Sequence, residues 1–188
     1  MALGILRGLG ALWLALAVGA HAAPAEWRSI EGGNFSFATS YEGEPLGGSF
    51  SRFELAFRFD PDAPAAAQLV VSVDLTAADM GDPDMNAVLF DEAWFDIGRF
   101  ATAVFESTAV QSRGEAEFVA SGVLKLKGVE RSVAVPFRWS RNGDRARMTG
   151  EFSLRRTDFG VGSGEWSTGD SIGLEVRLAF DIPLSPAD

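Results

Sequence analysis

Three groups of residues in this 188-residue chain stand at spacings that chemistry uses. Asp82, Asp84 and Asn86 have the one-three-five spacing of a calcium loop, but Ala87 replaces the required glycine and position twelve is Ala93, so the oxygen cage is incomplete. Gly160, Gly162 and Gly164 suggest a phosphate loop. The run lacks both the Gly-x-Gly-x-x-Gly spacing and a P-loop lysine, and no crossover helix follows, so a turn is the expectation. Arg156 and Asp158 offer a charged pair, either for a polar group of a ligand or, the favoured reading, as a structural ion pair near a strand end. Absences decide much of the rest. The chain has no cysteine, which removes disulfides, thiol nucleophiles and thiolate metal sites, and its only histidine is His21.

Residues 1–22 read as an export signal. Arg7 is the positive n-region, Leu9 to Val18 the apolar stretch, and Ala20-His21-Ala22 the small-x-small cleavage site. The apolar run is shorter than the ~20 residues of a spanning helix, so a cleaved signal is expected rather than an anchor, followed by one domain over 23–188. Cleavage removes His21, and with it a Ser-His-Asp triad, a Cys-His pair and the usual His-ligated zinc or haem site. Carboxylate hydrolysis survives as a minor alternative, yet nothing marks a pair among the 26 acidic residues. No catalytic residue, metal or cofactor is expected. With 16 basic against 26 acidic residues the net charge is -10, becoming 15 minus 26, or -11, without Arg7; nucleic acid is therefore not an expected partner.

The elements that position everything else alternate with a period of two. Phe35 and Phe37 begin the pattern. It continues in Phe53, Leu55, Phe57 and Phe59, in Leu69, Val71, Val73 and Leu75, and in Ala103, Phe105 and Ser107. Phe118 to Leu126, Val133 to Trp139, Met148 to Leu154 and Leu174 to Ile182 complete about eight strands. Turn residues such as Lys127-Gly128 and Asn142-Gly143-Asp144 separate them and favour antiparallel neighbours. Pro136 and Pro183 fall inside or at the end of strand patterns and predict local interruptions of the ladder. One stretch breaks the period: Asp82 as N-cap and Pro83 at the first helical position predict a short helix from 83 to about 90, before the apolar segment Trp94-Phe95-Asp96-Ile97.

The expected fold is all-β, an eight-stranded antiparallel barrel with a short helix between strands three and four, the helix and apolar loop covering one end as lid or portal. Trp94 and Phe95 would form a portal or plug that end. At eight strands a barrel is either filled by side chains or holds one small ligand, and the pattern leaves both open.

Taken in order, Gly47-Gly48-Ser49-Phe50-Ser51-Arg52-Phe53, Phe59-Asp60-Pro61, Val71-Ser72-Val73-Asp74, Trp94-Phe95-Asp96, Phe105-Glu106-Ser107-Thr108, Gly122 to Val129 and Arg156-Thr157-Asp158-Phe159-Gly160-Val161-Gly162 resemble the YceI family, from about Trp27 to Leu184. The resemblance implies a lipocalin-like barrel in the periplasm that binds an isoprenoid-tailed lipid, quinone- or polyprenol-like, without catalysis. It also suggests a context of membrane b-type cytochromes or quinone handling. Two departures touch the head group: where many relatives place a histidine and an Arg-containing stretch, this chain reads Tyr41 to Leu46 and Asp82 to Asn86. The residues expected to meet the lipid are Phe37, Phe53, Leu55, Phe57, Val71, Val73, Leu89, Trp94, Phe95, Phe105, Leu124, Phe152, Leu174 and Val176. The competing reading is a structural or interaction barrel with a filled core.

Overall fold

The computed structural model describes residues 24–187, so the expected export signal and cleavage site lie outside the described residues. The strands are β1 (Ala25–Ser29), β2 (Asn34–Tyr41), β3 (Glu44–Phe50), β4 (Phe53–Phe59), β5 (Gln68–Asp74), β6 (Ala78–Asp79), β7 (Thr102–Gly114), β8 (Glu117–Leu126), β9 (Val129–Asn142), β10 (Arg145–Arg155) and β11 (Glu175–Pro186). One α-helix, α1 (Pro83–Phe90), lies between β6 and β7.

A ring closes in the order β1-β4-β5-β7-β8-β9-β10-β11 and back to β1, eight antiparallel strands in all. The helix lies between the third and fourth of them, as the sequence pattern predicts. Membership of the ring differs at one place. Closure comes from β1, which pairs with β4 through Trp27↔Phe57 and with β11 through Trp27↔Pro186, whereas the Phe35-Phe37 strand, β2, branches off β11 further along, from Asp181 to Arg177. β3 and β6 extend that branch. Neither β1 nor β3 shows a period-two signature: β1 has one large apolar residue, Trp27, and β3 contains Pro45, Gly47 and Gly48. Glycine is needed at position 48 because a Cβ there would lie 2.6 Å from the Phe37 ring and 2.5 Å from the Asp79 carbonyl.

Tight hairpins fix the registers. Lys127 and Gly128 both have positive φ, 51° and 75°, the geometry of a two-residue turn whose twist matches the flanking strands, and β8 and β9 then pair from Leu126↔Val129 to Glu117↔Arg138. Pro183 does not interrupt its ladder, since Arg147↔Pro183 sits in an unbroken β10–β11 pairing. Near Pro136 pairing does change: β9 and β10 pair only from Asn142↔Arg145 to Arg138↔Thr149, then separate.

The interior has two parts. Around β1, Trp27, Phe57, Phe59, Phe118, Phe137 and Trp139 are buried and fill the lumen. The Phe57 and Phe59 rings stack at 4.4 Å, and Phe59 meets Trp139 and Phe118 edge-on at 5.0 Å each. Such contacts add about 0.5–1.5 kcal/mol each to the area buried. At the other end the lumen is hollow, walled by aliphatic side chains and by rings such as Phe37, Phe105 and Phe152.

Candidate ligand-binding cavity

The hollow end encloses about 460 Å³. Its walls are Val71 and Val73 of β5, Phe105 of β7, Leu124 of β8, Val133 of β9, Phe152 and Leu154 of β10, Val176 and Leu178 of β11, and Phe35 and Phe37 of β2. Several of these are only half-buried although they point into the barrel, because they face the open space. Among non-aromatic lining residues, only Thr39, Asp84 and Arg156 bring a polar side chain.

α1 and the loop after it form the cover. Asp82 accepts from the backbone N–H of Asp84 and Met85 at 2.8 and 3.1 Å, with Pro83 in the first turn, so the helix begins as its sequence predicts. Asp79 accepts from Gly81 N–H and from the Asn86 amide, and these hydrogen bonds, the Asn86 one foremost, hold its carboxyl below the ordinary value of 3.8. The acidic run thus fastens the helix start, with Asp84 at the cavity. Leu89, Trp94 and Phe95 are buried in the wall beneath. Tyr41, Met85 and Val88, 44%, 37% and 48% exposed, mark the mouth between α1 and the β2–β3 hairpin. Trp94 and Phe95 are therefore wall residues, and the rim is built from residues that show no strong pattern.

The back wall is the loop between β10 and β11. Arg156 is 4% exposed and spends all its N–H groups on backbone carbonyls: Nε on Gly173 at 2.9 Å, Nη1 on Val161 and Gly162 at 3.0 and 3.1 Å, Nη2 on Ile172 at 2.9 Å and on Trp166. Burial pushes its pKa below the ordinary arginine value, and its guanidinium also lies 5.2 Å from the Trp94 ring centroid. The ion pair expected with Asp158 is not formed; the carbonyl cage takes its place, leaving Asp158 exposed. Gly162 has φ 73° and passes so close that a Cβ would lie 2.0 Å from Arg156 Nη1, so this glycine run wraps an arginine. Loop and cover are joined: Ala93 O accepts from Gly162 N and Ser163 N, both at 2.9 Å, and Lys127 Nζ donates to Glu92 O and Gly160 O at 2.7 and 2.8 Å. Burial lowers the Lys127 pKa, against the pull of Asp96 and Glu92.

Of the residues expected from the sequence, Phe37, Leu55, Val71, Val73, Leu89, Trp94, Phe95, Phe105, Leu124, Phe152 and Val176 line the cavity. Three do not. Phe57 points inward but belongs to the packed end, stacked on Phe59. Phe53, at the start of β4, lies edge-on to Phe35 at 5.9 Å and beside Gly33. Leu174 precedes β11 and packs on the Gly169 turn. Conversely, Leu178 and Phe180 line the cavity and share the legible inward row of β11, whereas Phe159, Val161, Trp166 and Ile172 come from a loop without periodicity.

A closed antiparallel barrel of eight strands, filled at one end and apolar and hollow at the other, is the lipocalin-like architecture that can enclose one small molecule. The YceI-like domain matches residues 30–184, and the chain belongs to that family. A UPF0312 protein of Shewanella oneidensis is 30% identical over 120 residues, 61% of this chain and 63% of that one. A second, from Azotobacter vinelandii, is 30% identical over 122 residues, 62% of this chain and 64% of that one. These matches thus span a little under two thirds of the curated relatives' length. Among solved structures, Burkholderia cenocepacia BcnA superposes with a TM-score of 0.78 at 28% identity, covering 80% of this chain and 95% of its own. A polyisoprenoid binding domain from Saccharophagus degradans, implicated in plant cell wall breakdown, shares the fold with a TM-score of 0.70 at 14% identity, covering 87% and 99%.

Proposed function

We propose that this protein is a non-catalytic lipid-binding or carrier protein that holds the isoprenoid tail of an amphiphile, quinone- or polyprenol-like, in the hollow end of its barrel. The observation that carries the reading is the apolar 460 Å³ lumen beside a packed end of the same barrel. Burial alone supplies affinity: at ~0.8 kcal/mol per buried CH2, a tail of several five-carbon units outweighs the cost of immobilising it. A branched, unsaturated tail also suits walls of Phe, Leu and Val. The fold shared with a polyisoprenoid binding domain supports the same choice of ligand.

Chemistry at the cavity has little to work with. Arg156 is spent on carbonyls, and Asp84 has no second carboxylate among the cavity-lining residues to complete an acid–base pair. The signal-like pattern of residues 1–22 supports a periplasmic location, and a membrane b-type cytochrome or another quinone-handling protein is the partner suggested by the family resemblance.

Mass spectrometry of an organic extract from native protein tests the ligand. The expected result is close to one isoprenoid-tailed lipid per chain; a fatty acid in its place, or none, would overturn the reading. N-terminal sequencing of protein from the periplasmic fraction tests location, with Ala23 expected and intact Met1-started protein in the membrane fraction contradicting it.

A further inference from the structure

A lipid whose tail fills the lumen must place its head somewhere, and the cavity meets polar groups at three places. Inside, Arg156 has no N–H left to give: a phosphate drawn to it would lose hydration without gaining a hydrogen bond. At the mouth, segments 41–46, 79–92 and 163–172 carry nine carboxylates, Glu42, Glu44, Asp82 and Asp84 among them, and no lysine or arginine. An anion is repelled there. The third place is the seam where β9 and β10 part.

Beyond Arg138↔Thr149 the two strands have no pairing with each other, and residues 131–134 of β9 and 152–155 of β10 line a cleft of about 330 Å³. Pro136, which has no N–H to offer a ladder, stands where pairing ends. The cleft shares Val133, Phe152, Leu154 and Phe159 with the apolar cavity, so the same four side chains border both spaces. Its own polar lining is Arg131, Arg155, Ser132, Ser153 and Asp158. Arg131 stands exposed in the register row of β9 that carries Val133, Val135 and Phe137. Neither arginine is in an ion pair among the described residues, and the one hydrogen bond from these two guanidiniums is Arg131 to the Glu130 carbonyl.

We infer that this seam receives the head of the bound lipid and favours a phosphate-bearing one, so that among isoprenoid-tailed lipids a polyprenyl phosphate is held more tightly than the alcohol of the same tail. The inference rests on the lumen holding an isoprenoid tail. Two guanidiniums that spend one hydrogen bond between them, on the Glu130 carbonyl, stand with two serine hydroxyls and outnumber the single carboxylate of the lining, Asp158, so the cleft offers donors to the oxygens of a phosphate. The molecule's acidic surface turns the same group away from the mouth.

The test is equilibrium binding of delipidated protein to a polyprenol, to its phosphate of the same tail length, and to inorganic phosphate alone. The expected preference for the phosphate over the alcohol is about tenfold or more in low salt, shrinking toward 1 M salt as charges are screened. The Arg131→Gln/Arg155→Gln double variant should bring the two lipids to within about twofold of each other, and Arg131→Lys/Arg155→Lys should retain most of the preference. Equal binding of both lipids, or tighter binding of the alcohol, would overturn the inference and leave the lipid reading standing. Binding of inorganic phosphate as tight as that of the lipid would also overturn it, making the cleft a site for the free anion. Failure of both lipids to bind would remove the lipid reading itself.

Discussion

The two ends of this barrel are built from the same strands, yet β4 sends Phe57 and Phe59 into one end while β5 sends Val71 and Val73 into the other. Around Phe59, four aromatic rings lie within 4.4–6.0 Å; around Val71, the inward side chains leave the walls of a 460 Å³ space. Interior-facing is thus one property and space-filling another. The filled end pins the ring shut through β1 and supplies stability, which frees the other end to carry unfilled apolar surface.

The largest expected effect comes from truncating the filled end. Phe59→Ala should cost ~3–5 kcal/mol in a urea titration, whereas Leu124→Ala, whose side chain already borders open space, should cost less than ~2 kcal/mol. Equal costs would contradict the division. Next in size is Arg156→Met, which strips five carbonyls of their donor; a loss of ~2–4 kcal/mol is expected, with faster hydrogen exchange at Val161 and Gly162. Unchanged exchange there would show that the back wall holds without the cage.

Most of the ring was legible because β4, β5, β8 and β11 each face core on one side and solvent on the other, which writes a period of two into the sequence. β1 and β3 were hidden by opposite causes. Trp27 fills its position alone, and Gly48 surrenders its side chain to the Phe37 ring. The inward rows were legible too, but not how far along each strand the filling stops, since that depends on rings from other strands: nothing local to Phe57 separates it from Leu55. Arg156 looked like half of an ion pair because sequence shows Asp158 two residues away and cannot show carbonyls gathered from residues 161–173.

A smaller effect should appear at the mouth under acid. The Asp79 carboxyl titrates below 3.8 in the folded protein, so the stability it adds is fully present above that pH and is lost as pH falls through the folded value. Melting curves from about pH 5 down to pH 2 should therefore fall less steeply in Asp79→Asn than in wild type. Parallel curves would mean that this helix fastening contributes nothing to folding.

The central claim is that one end is filled and the other is open to a lipid, and a tryptophan placed in each tests it most directly. Val110 lies in the packed cluster, 2% exposed, and Val71 lines the cavity. Denaturant titration of delipidated Val110→Trp and Val71→Trp, together with the lipid content of each as purified, is the measurement. Val110→Trp should lose ~1–3 kcal/mol and keep its lipid; Val71→Trp should stay within about 1 kcal/mol of wild type and come out empty. A Val71→Trp protein as destabilised as Val110→Trp, or one still carrying a full equivalent of lipid, would contradict the account.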